Sequence, residues 1–207
     1  MREERIVIAG HELVLARPDD PESLIDESRF DVDEFLPYWA ELWPSGIALA
    51  HHLAERDLTG VRVLELGCGL ALPSFAAALA GGDALATDWA REAIELVLRN
   101  AAANGVGLAA EELDWSSERA LRLHPFDLVV AADVLYEERN ARPLLRLLEH
   151  AIATGGAAIV ADPGRRHAPA FFELAAATGW SAEHLSVKNL PAGGITVLHR
   201  CETLATG

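Results

Sequence analysis

The sequence predicts an α/β fold in which a doubly wound, mostly parallel sheet carries helices on both faces. Short apolar runs over residues 61–66, 84–87 and 126–131 alternate with segments of helical spacing. The first run leads directly into a glycine turn, and Gly81-Gly82 ends the next helix before the second run begins. This alternation is typical of βαβ units, whose ligands bind at the carboxyl ends of the strands.

The length of 207 residues fits one main domain. We predict an N-terminal extension over residues 1–44 and a ligand-binding domain over residues 45–207. Apolar alternation predicts a small hairpin over residues 6–15, and an acidic stretch rich in turn formers follows over residues 19–34. The extension is therefore expected to lie over the main fold.

The remaining elements follow from helical and strand periodicity. Ser45 is a candidate N-cap for a helix that ends before the break at residues 57–60, and Pro73 is placed to open the helix after the first strand. Further predicted elements are helices over 90–103, 142–153 and 169–178, a weak strand over 108–113, a turn at Gly155-Gly156, a strand over 157–161, and a closing antiparallel pair over 181–187 and 195–200.

The net charge and the composition limit the kinds of partner that the protein is expected to bind. The formal net charge of −15 opposes binding to a phosphate backbone, so no nucleic-acid partner is expected. A lysine-bearing protein would be attracted, although acidity on this scale also favours solubility. No apolar run is long enough to cross a bilayer, and the charged start at residues 1–5 is unlike a signal peptide. We therefore expect a cytoplasmic protein with no membrane partner.

The glycine turn indicates the cofactor. Residues 61–71 read V-R-V-L-E-L-G-C-G-L-A, and Leu72 stands where a dinucleotide-binding turn needs its third glycine, which disfavours NAD. S-adenosyl-L-methionine turns read acid-x-Gly-x-Gly-x-Gly/Ala, a pattern met by Glu65, Gly67, Gly69 and Ala71. Small residues are expected here because the ligand presses against the backbone. Cys68 is expected to pack rather than to react.

Acidic and aromatic residues follow the next two strands. Asp88 ends the second strand, where a carboxylate can accept both ribose hydroxyls, and the alternative is a helix cap before Ala90. Asp114 and Trp115 follow the third strand and offer an acceptor for an adenine amino group beside a flat apolar face.

Three further segments carry a resemblance to a known family. They are residues 37–46, P-Y-W-A-E-L-W-P-S-G, residues 133–136, D-V-L-Y, and residues 162–165, D-P-G-R. With the glycine turn, they resemble seven-β-strand S-adenosylmethionine-dependent methyltransferases, and in particular the electron-transfer flavoprotein β-subunit lysine methyltransferase group. Ser45 stands where that group has glycine. The resemblance covers nearly the whole chain and implies a Rossmann-like seven-stranded sheet with a reversed last strand.

The resemblance also implies a function and a site. The function is protein-lysine N-methylation, on the electron-transfer flavoprotein β-subunit or a ribosomal protein, and the acid-x-x-aromatic motif places Asp133 and Tyr136 at the target-amine channel as catalytic residues. Trp39 and Arg165 are predicted to contact the substrate. The predicted cofactor-binding residues are Trp43, Ser45, Gly46, Glu65, Gly67, Cys68, Gly69, Asp88, Trp89, Asp114, Trp115 and Asp133.

Several alternatives stay open. Asp133 could cap the following helix, Arg165 could be a solvated loop arginine, and an aromatic cluster often belongs to a core. His51 and His52 lack a convincing third ligand, so no metal site is predicted. At the level of function, a small-molecule N-methyltransferase and a catalytically silent scaffold protein share the same fold.

Overall fold

The N-terminal hairpin is present in the structure. A computed structural model describes residues 1–20 and 37–201, and its first strands, β1 (Arg2–Ile8) and β2 (His11–Arg17), pair antiparallel. From residue 21 onward the acidic stretch lies outside the described residues. The division of the chain at residue 44 stays a prediction.

The described residues form one mixed sheet from seven further strands. They are β3 (Arg62–Leu66), β4 (Asp83–Asp88), β5 (Ala109–Glu112), β6 (Phe126–Ala132), β7 (Ile152–Asp162), β8 (Trp180–Leu185) and β9 (Gly194–Arg200). Their order across the sheet is β5-β4-β3-β6-β7-β9-β8. Strand β9 runs antiparallel to both β7 and β8, and the pairs among β3 to β7 are parallel. The predicted doubly wound sheet with a reversed last strand is confirmed.

Helices cover both faces of this sheet. They are α1 (Pro44–Ala54), α2 (Leu72–Leu79), α3 (Arg91–Asn104), α4 (Ala141–Ala151) and α5 (Ala168–Ala177). Successive residues of a strand point to opposite faces, so Val63 joins a core cluster with side chains of α1, α2 and α3, and Leu64 joins a second cluster with side chains of α4 and α5. Burial on both faces explains why the central strands read as continuous apolar runs. Within the described ranges, no helix is long and apolar enough to span a membrane.

Two local predictions are wrong. Helix α1 begins at Pro44 with Trp43 as its N-cap, so Ser45 lies inside the first turn and does not cap the helix. Proline suits the first helical position because it has no N–H to leave unpaired. Gly155 and Gly156 do not form a turn between elements, because they lie within β7.

The pairing of β6 with β7 explains why glycines occupy positions 155 and 156. Phe126 pairs with Ile152, but Leu128 pairs with Ala157, so β7 contains extra residues at this point. Such a bulge needs backbone that approaches its neighbour closely. A Cβ at Gly156 would lie 2.8 Å from the Asp127 carbonyl oxygen.

Two asparagines of α3 join the hairpin to the main fold. The Asn104 amide accepts the Val14 N–H at 2.8 Å and donates to the Val14 carbonyl at 2.9 Å. Asn100 makes the same pair of bonds with Ala16, at 2.9 and 3.0 Å. Four helical residues rise about 6 Å and two strand residues span about 6.8 Å, so amides one turn apart match alternate residues of a strand. The hairpin therefore docks in one register, and its apolar residue Leu15 joins the main core.

Candidate functional site

The predicted site residues gather at the carboxyl edge of the sheet. Asp88 ends β4, Asp133 directly follows β6, and Asp162 ends β7. The glycine turn follows β3, which lies between β4 and β6. Carboxyl ends of neighbouring parallel strands meet at one edge, so the sheet brings together residues far apart in the sequence.

The glycine turn is shaped by the protein's own packing. Gly67 and Gly69 have φ values of +65° and +51°, a region that favours glycine. A Cβ at Gly69 would lie 2.9 Å from the backbone oxygen of Trp39, and one at Gly67 would lie 3.0 Å from Val134 and 3.4 Å from the Trp115 ring. The sequence predicts that these glycines make room for a ligand. In the structure, protein atoms already exclude a side chain at both positions.

Asp88 lies between the glycine turn and the start of α3. Its carboxylate accepts the N–H of Gly69 and the N–H of Ala90, each at 2.9 Å. The bond to Ala90 is a local bond just before α3, whose N-cap is Ala90 and has no side-chain cap bond, so the alternative that Asp88 caps this helix is wrong. The bond to Gly69 fixes the turn. Asp88 is 4% exposed, and its burial raises the pKa of the carboxyl, while the backbone donors oppose that rise. The Trp89 backbone is a third donor to this carboxylate, which has about four acceptor positions in all, so one position is left for a donor of a ligand.

The Glu65 side chain is hydrogen-bonded to helix α2 and does not lie at an open surface. Its Oε2 accepts the Ser74 N–H at 2.9 Å and the Ser74 hydroxyl at 2.5 Å. Complete burial raises the pKa of Glu65 to about 8, and the two bonds from Ser74 oppose the rise. Burial also raises the pKa of the Cys68 thiol well above its usual value, which keeps it a neutral packing group.

Glu65 should make the stability of the protein depend on pH. The pKa of about 8 lies above the ordinary 4.5, so the folded state binds a proton that the unfolded state releases between these values. The free energy of unfolding should therefore fall as pH rises through this window, by on the order of 3 to 5 kcal/mol. We expect Glu65→Gln to remove this slope in urea unfolding of the cofactor-free protein at pH 5 to 9. Glu112→Gln is the control, because Glu112 is exposed at the end of β5. A slope unchanged in Glu65→Gln would contradict this assignment.

Trp115 and Asp114 differ in what they offer a ligand. The Trp115 ring lies beside Gly67, at the mouth of the glycine turn. Asp114 is exposed, and its carboxylate accepts both the N–H and the hydroxyl of Ser116 at 2.7 Å. Asp114 thus shapes the loop, and its contact with adenine stays a prediction. Trp89, next to Asp88, has 45% of its surface exposed.

Asp133 is a buried carboxylate with two side-chain partners. One oxygen accepts the Ser45 hydroxyl at 3.0 Å, and the other accepts Nε–H of Arg165 at 2.7 Å. Its φ of +58° is unusual for any residue except glycine, asparagine and aspartate. Helix α4 begins only at Ala141 and has no side-chain cap. The alternative that Asp133 caps this helix is therefore wrong.

Aromatic rings lie beside the Asp133 site. The centroids of Tyr38 and Tyr136 are 5.5 Å apart, those of Tyr38 and Trp43 are 6.1 Å apart, and both pairs meet edge to face. The Trp43 indole donates to the Tyr38 carbonyl at 2.9 Å. Burial raises the pKa of the Tyr136 phenol, which therefore stays neutral. Tyr38 was missed among the predicted site residues, although it lies in the same motif as Trp39 and Trp43.

Trp39 contributes to the site through its backbone, and Gly46 contributes by having no side chain. Trp39 lies in the turn Tyr38–Ala40, and its backbone packs on Gly69. Gly46 lies in the first turn of α1, and, apart from its own helix and chain neighbours, none of residues 1–20 and 37–201 has an atom within 4 Å of the position of a Cβ there. These residues leave the space beside Gly46 unfilled.

The D-P-G-R segment forms a tight turn that presents Arg165. Asp162 accepts the N–H groups of both Gly164 and Arg165 at 2.7 Å. Gly164 has φ +97°, and a Cβ there would clash with the Ala192 carbonyl oxygen. Arg165 points back to Asp133, and its guanidinium carbon lies 5.5 Å from the centroid of the Trp43 ring. Arg165 is therefore not the solvated loop arginine of the alternative.

Within the described ranges, no group of three or more His, Cys, Asp or Glu side chains is arranged to hold a metal ion.

One protein-family model matches more than half of this chain. Residues 38–177 match the family described as lysine methyltransferase. The chain is 33% identical over 135 residues to the electron transfer flavoprotein beta subunit lysine methyltransferase of Xenopus laevis, covering 62% of this chain and 53% of the relative. It is 35% identical over 122 residues to protein N-lysine methyltransferase METTL21A of Danio rerio, covering 54% of each. The chain thus spans about half the length of these curated relatives.

A solved structure shows the same fold at low sequence identity. The 16S rRNA N2 G1207 methyltransferase of T. thermophilus, determined with AdoMet and guanosine, superposes with a TM-score of 0.68 at 16% identity. The match covers 97% of this chain and 50% of that protein.

Proposed function

This chain belongs to the lysine methyltransferase family, and from that membership we propose that it transfers a methyl group from S-adenosylmethionine to a lysine of a protein substrate. The observation that carries the proposal is the pairing of two half-sites at one sheet edge. One is the glycine turn with Asp88, and the other is Asp133 with the aromatic rings.

The residues of the first half-site fit the proposed cofactor. Asp88 has an acceptor position for a ribose hydroxyl, and the Trp115 ring offers a flat face for adenine beside the glycine turn. The part of the chain that the structure describes leaves space beside Gly46, next to Ser45. When bound, S-adenosylmethionine supplies the methyl carbon, which gains a C–N bond to the amine as its C–S bond breaks, with the electron pair left on sulfur.

The second half-site must receive the amine and favour its neutral form. A free lysine has a pKa of about 10.4, so a neutral amine at pH 7 costs about 4 to 5 kcal/mol unless the site lowers that pKa. Exclusion of water by the rings of Trp43 and Tyr136 disfavours the charged amine and so lowers the cost of deprotonation. Their faces attract the ammonium before that step and orient it. Asp133 provides a carboxylate that can guide the ammonium and accept its proton. Ser45 holds that carboxylate in position.

A lysine-bearing protein is the proposed partner, and the cytoplasm is the proposed compartment. The relatives' names include the electron transfer flavoprotein beta subunit, which is one candidate substrate, and a ribosomal protein is another. The net charge of −15 supports a basic partner and disfavours nucleic acid. A small-molecule N-methyltransferase and a silent scaffold protein are the competing functions.

Three measurements separate these functions. We expect a cell lysate incubated with labelled cofactor and the purified protein to yield a labelled protein band, and a deletion strain to hold one protein lighter by methyl units. Label confined to small molecules would favour the small-molecule enzyme. Calorimetry with S-adenosylhomocysteine should detect binding, and a lack of binding would favour the scaffold.

A further inference from the structure

We propose that Arg165 occupies the position of the substrate ammonium and must leave Asp133 before a lysine can bind there. This inference rests on the proposed function, because it concerns the amine half-site. Arg165 is then a competitor of the substrate within the same chain. It sets how strongly an incoming cation must bind at Asp133 in order to displace it.

The first argument is that Arg165 already satisfies the groups proposed to receive lysine. Its Nε donates to Asp133 at 2.7 Å, and its guanidinium carbon lies over the Trp43 ring at 5.5 Å. A carboxylate and an aromatic face are the two features that a protein offers to an ammonium group. One cation therefore uses both features in the structure.

The second argument is that Asp133 has no room for two cations at once. Its side chain is 3% exposed, so a second cation would have to enter the buried space beside Arg165. A second cation beside Arg165 would meet like-charge repulsion in a buried site. Exchange of one cation for the other avoids leaving the buried carboxylate unpaired, which is strongly unfavourable.

The third argument is that Arg165 is placed so that its side chain can move while its backbone stays fixed. The side chain is 36% exposed, so solvent can receive the guanidinium. The backbone is held by the two bonds to Asp162 and by the close packing of Gly164 against Ala192. Rotation about side-chain bonds is therefore sufficient to open the site.

The first test measures amine binding without cofactor. n-Butylammonium, which has the end of a lysine side chain, is titrated into the cofactor-free protein while the indole N–H signals are followed by NMR. We expect Arg165→Met to bind this probe at least about tenfold more tightly than the wild type, because the buried Asp133 then lacks a cation. In the double variant Arg165→Met with Asp133→Asn the gain should disappear. Equal or weaker binding by Arg165→Met would overturn the proposal.

The second test uses the variant Arg165→Lys, which carries an amine in place of the guanidinium. Its Nζ can occupy the place of the guanidinium carbon, so the variant should methylate itself when cofactor is added and gain methyl units in intact-mass spectra. Peptide mapping should assign the modification to position 165. The matched control is Arg166→Lys, because Arg166 is exposed in the same turn and donates to His167. Modification of both variants alike, or of neither although the wild type methylates a lysate protein, would contradict the proposal.

The two proposals fail in different ways. If the wild type methylates a lysate protein but Arg165→Met binds the amine no better, the inference about Arg165 is wrong and the proposed function stands. If no protein is methylated but Arg165→Met binds the amine more tightly, the cation competition stands and the proposed function is wrong.

Discussion

Asp133→Asn is expected to lower turnover on the protein substrate by about 100-fold or more, within the range found for loss of a group that handles the transferred proton. Asparagine keeps the size of the side chain and tolerates the φ of +58° at this position. It removes the negative charge that guides the ammonium and the oxygen that accepts its proton. The effect is therefore expected on the reaction and not on folding.

The measurement is turnover at saturating cofactor, with thermal unfolding and S-adenosylhomocysteine calorimetry as checks. Ser45→Ala is the matched variant, since it removes only the hydrogen bond to Oδ2 of Asp133 and leaves the charge in place. We expect it to lose roughly tenfold in turnover, in line with one hydrogen bond to a charged group. Full turnover by folded Asp133→Asn with normal cofactor affinity would remove Asp133 from the mechanism.

The fold was largely predictable because its signals are local and repeated. The apolar runs over residues 61–66 and 126–131 became β3 and β6, and Gly105 ends α3 with a left-handed φ of +64° as expected for a glycine after a helix. Errors arose where two local rules compete. Ser45 was expected to stand just before the first position of α1, but Pro44 occupies that position. The glycines at 155 and 156 are compatible with a turn and also with the bulge that the structure contains.

The site was predictable in its members but not in its contacts. Residues with motif spacing, such as Asp88 and Asp133, do lie at the same sheet edge. What the sequence could not indicate is which donor each carboxylate meets, because partners such as Asp133 and Arg165 are 32 positions apart and belong to different loops. The same limit applies to Asn104, whose amide bonds to β2 across 90 positions. Side-chain partners depend on tertiary packing, which leaves no local pattern.

Asp88→Asn is expected to reduce the affinity for S-adenosylhomocysteine by roughly 100-fold or more. A ribose hydroxyl that donates to a carboxylate contributes about 1.5 to 3 kcal/mol, and the asparagine amide offers one acceptor oxygen in place of two. The amide NH2 would also face a backbone donor, such as Gly69 or Ala90, that Asp88 now accepts from. The glycine turn should therefore shift as well as lose its acceptor.

Calorimetry with S-adenosylhomocysteine measures this effect directly, and Asp83→Asn provides the control. Asp83 begins the same strand at its opposite end and is exposed, so its replacement alters the charge of the protein equally without touching the carboxyl edge of the sheet. Normal affinity in Asp83→Asn together with a large loss in Asp88→Asn places the ligand at the carboxyl end of β4. Similar affinities in both variants would mean that Asp88 only fixes the glycine turn and the start of α3, and that the ribose of the ligand binds elsewhere.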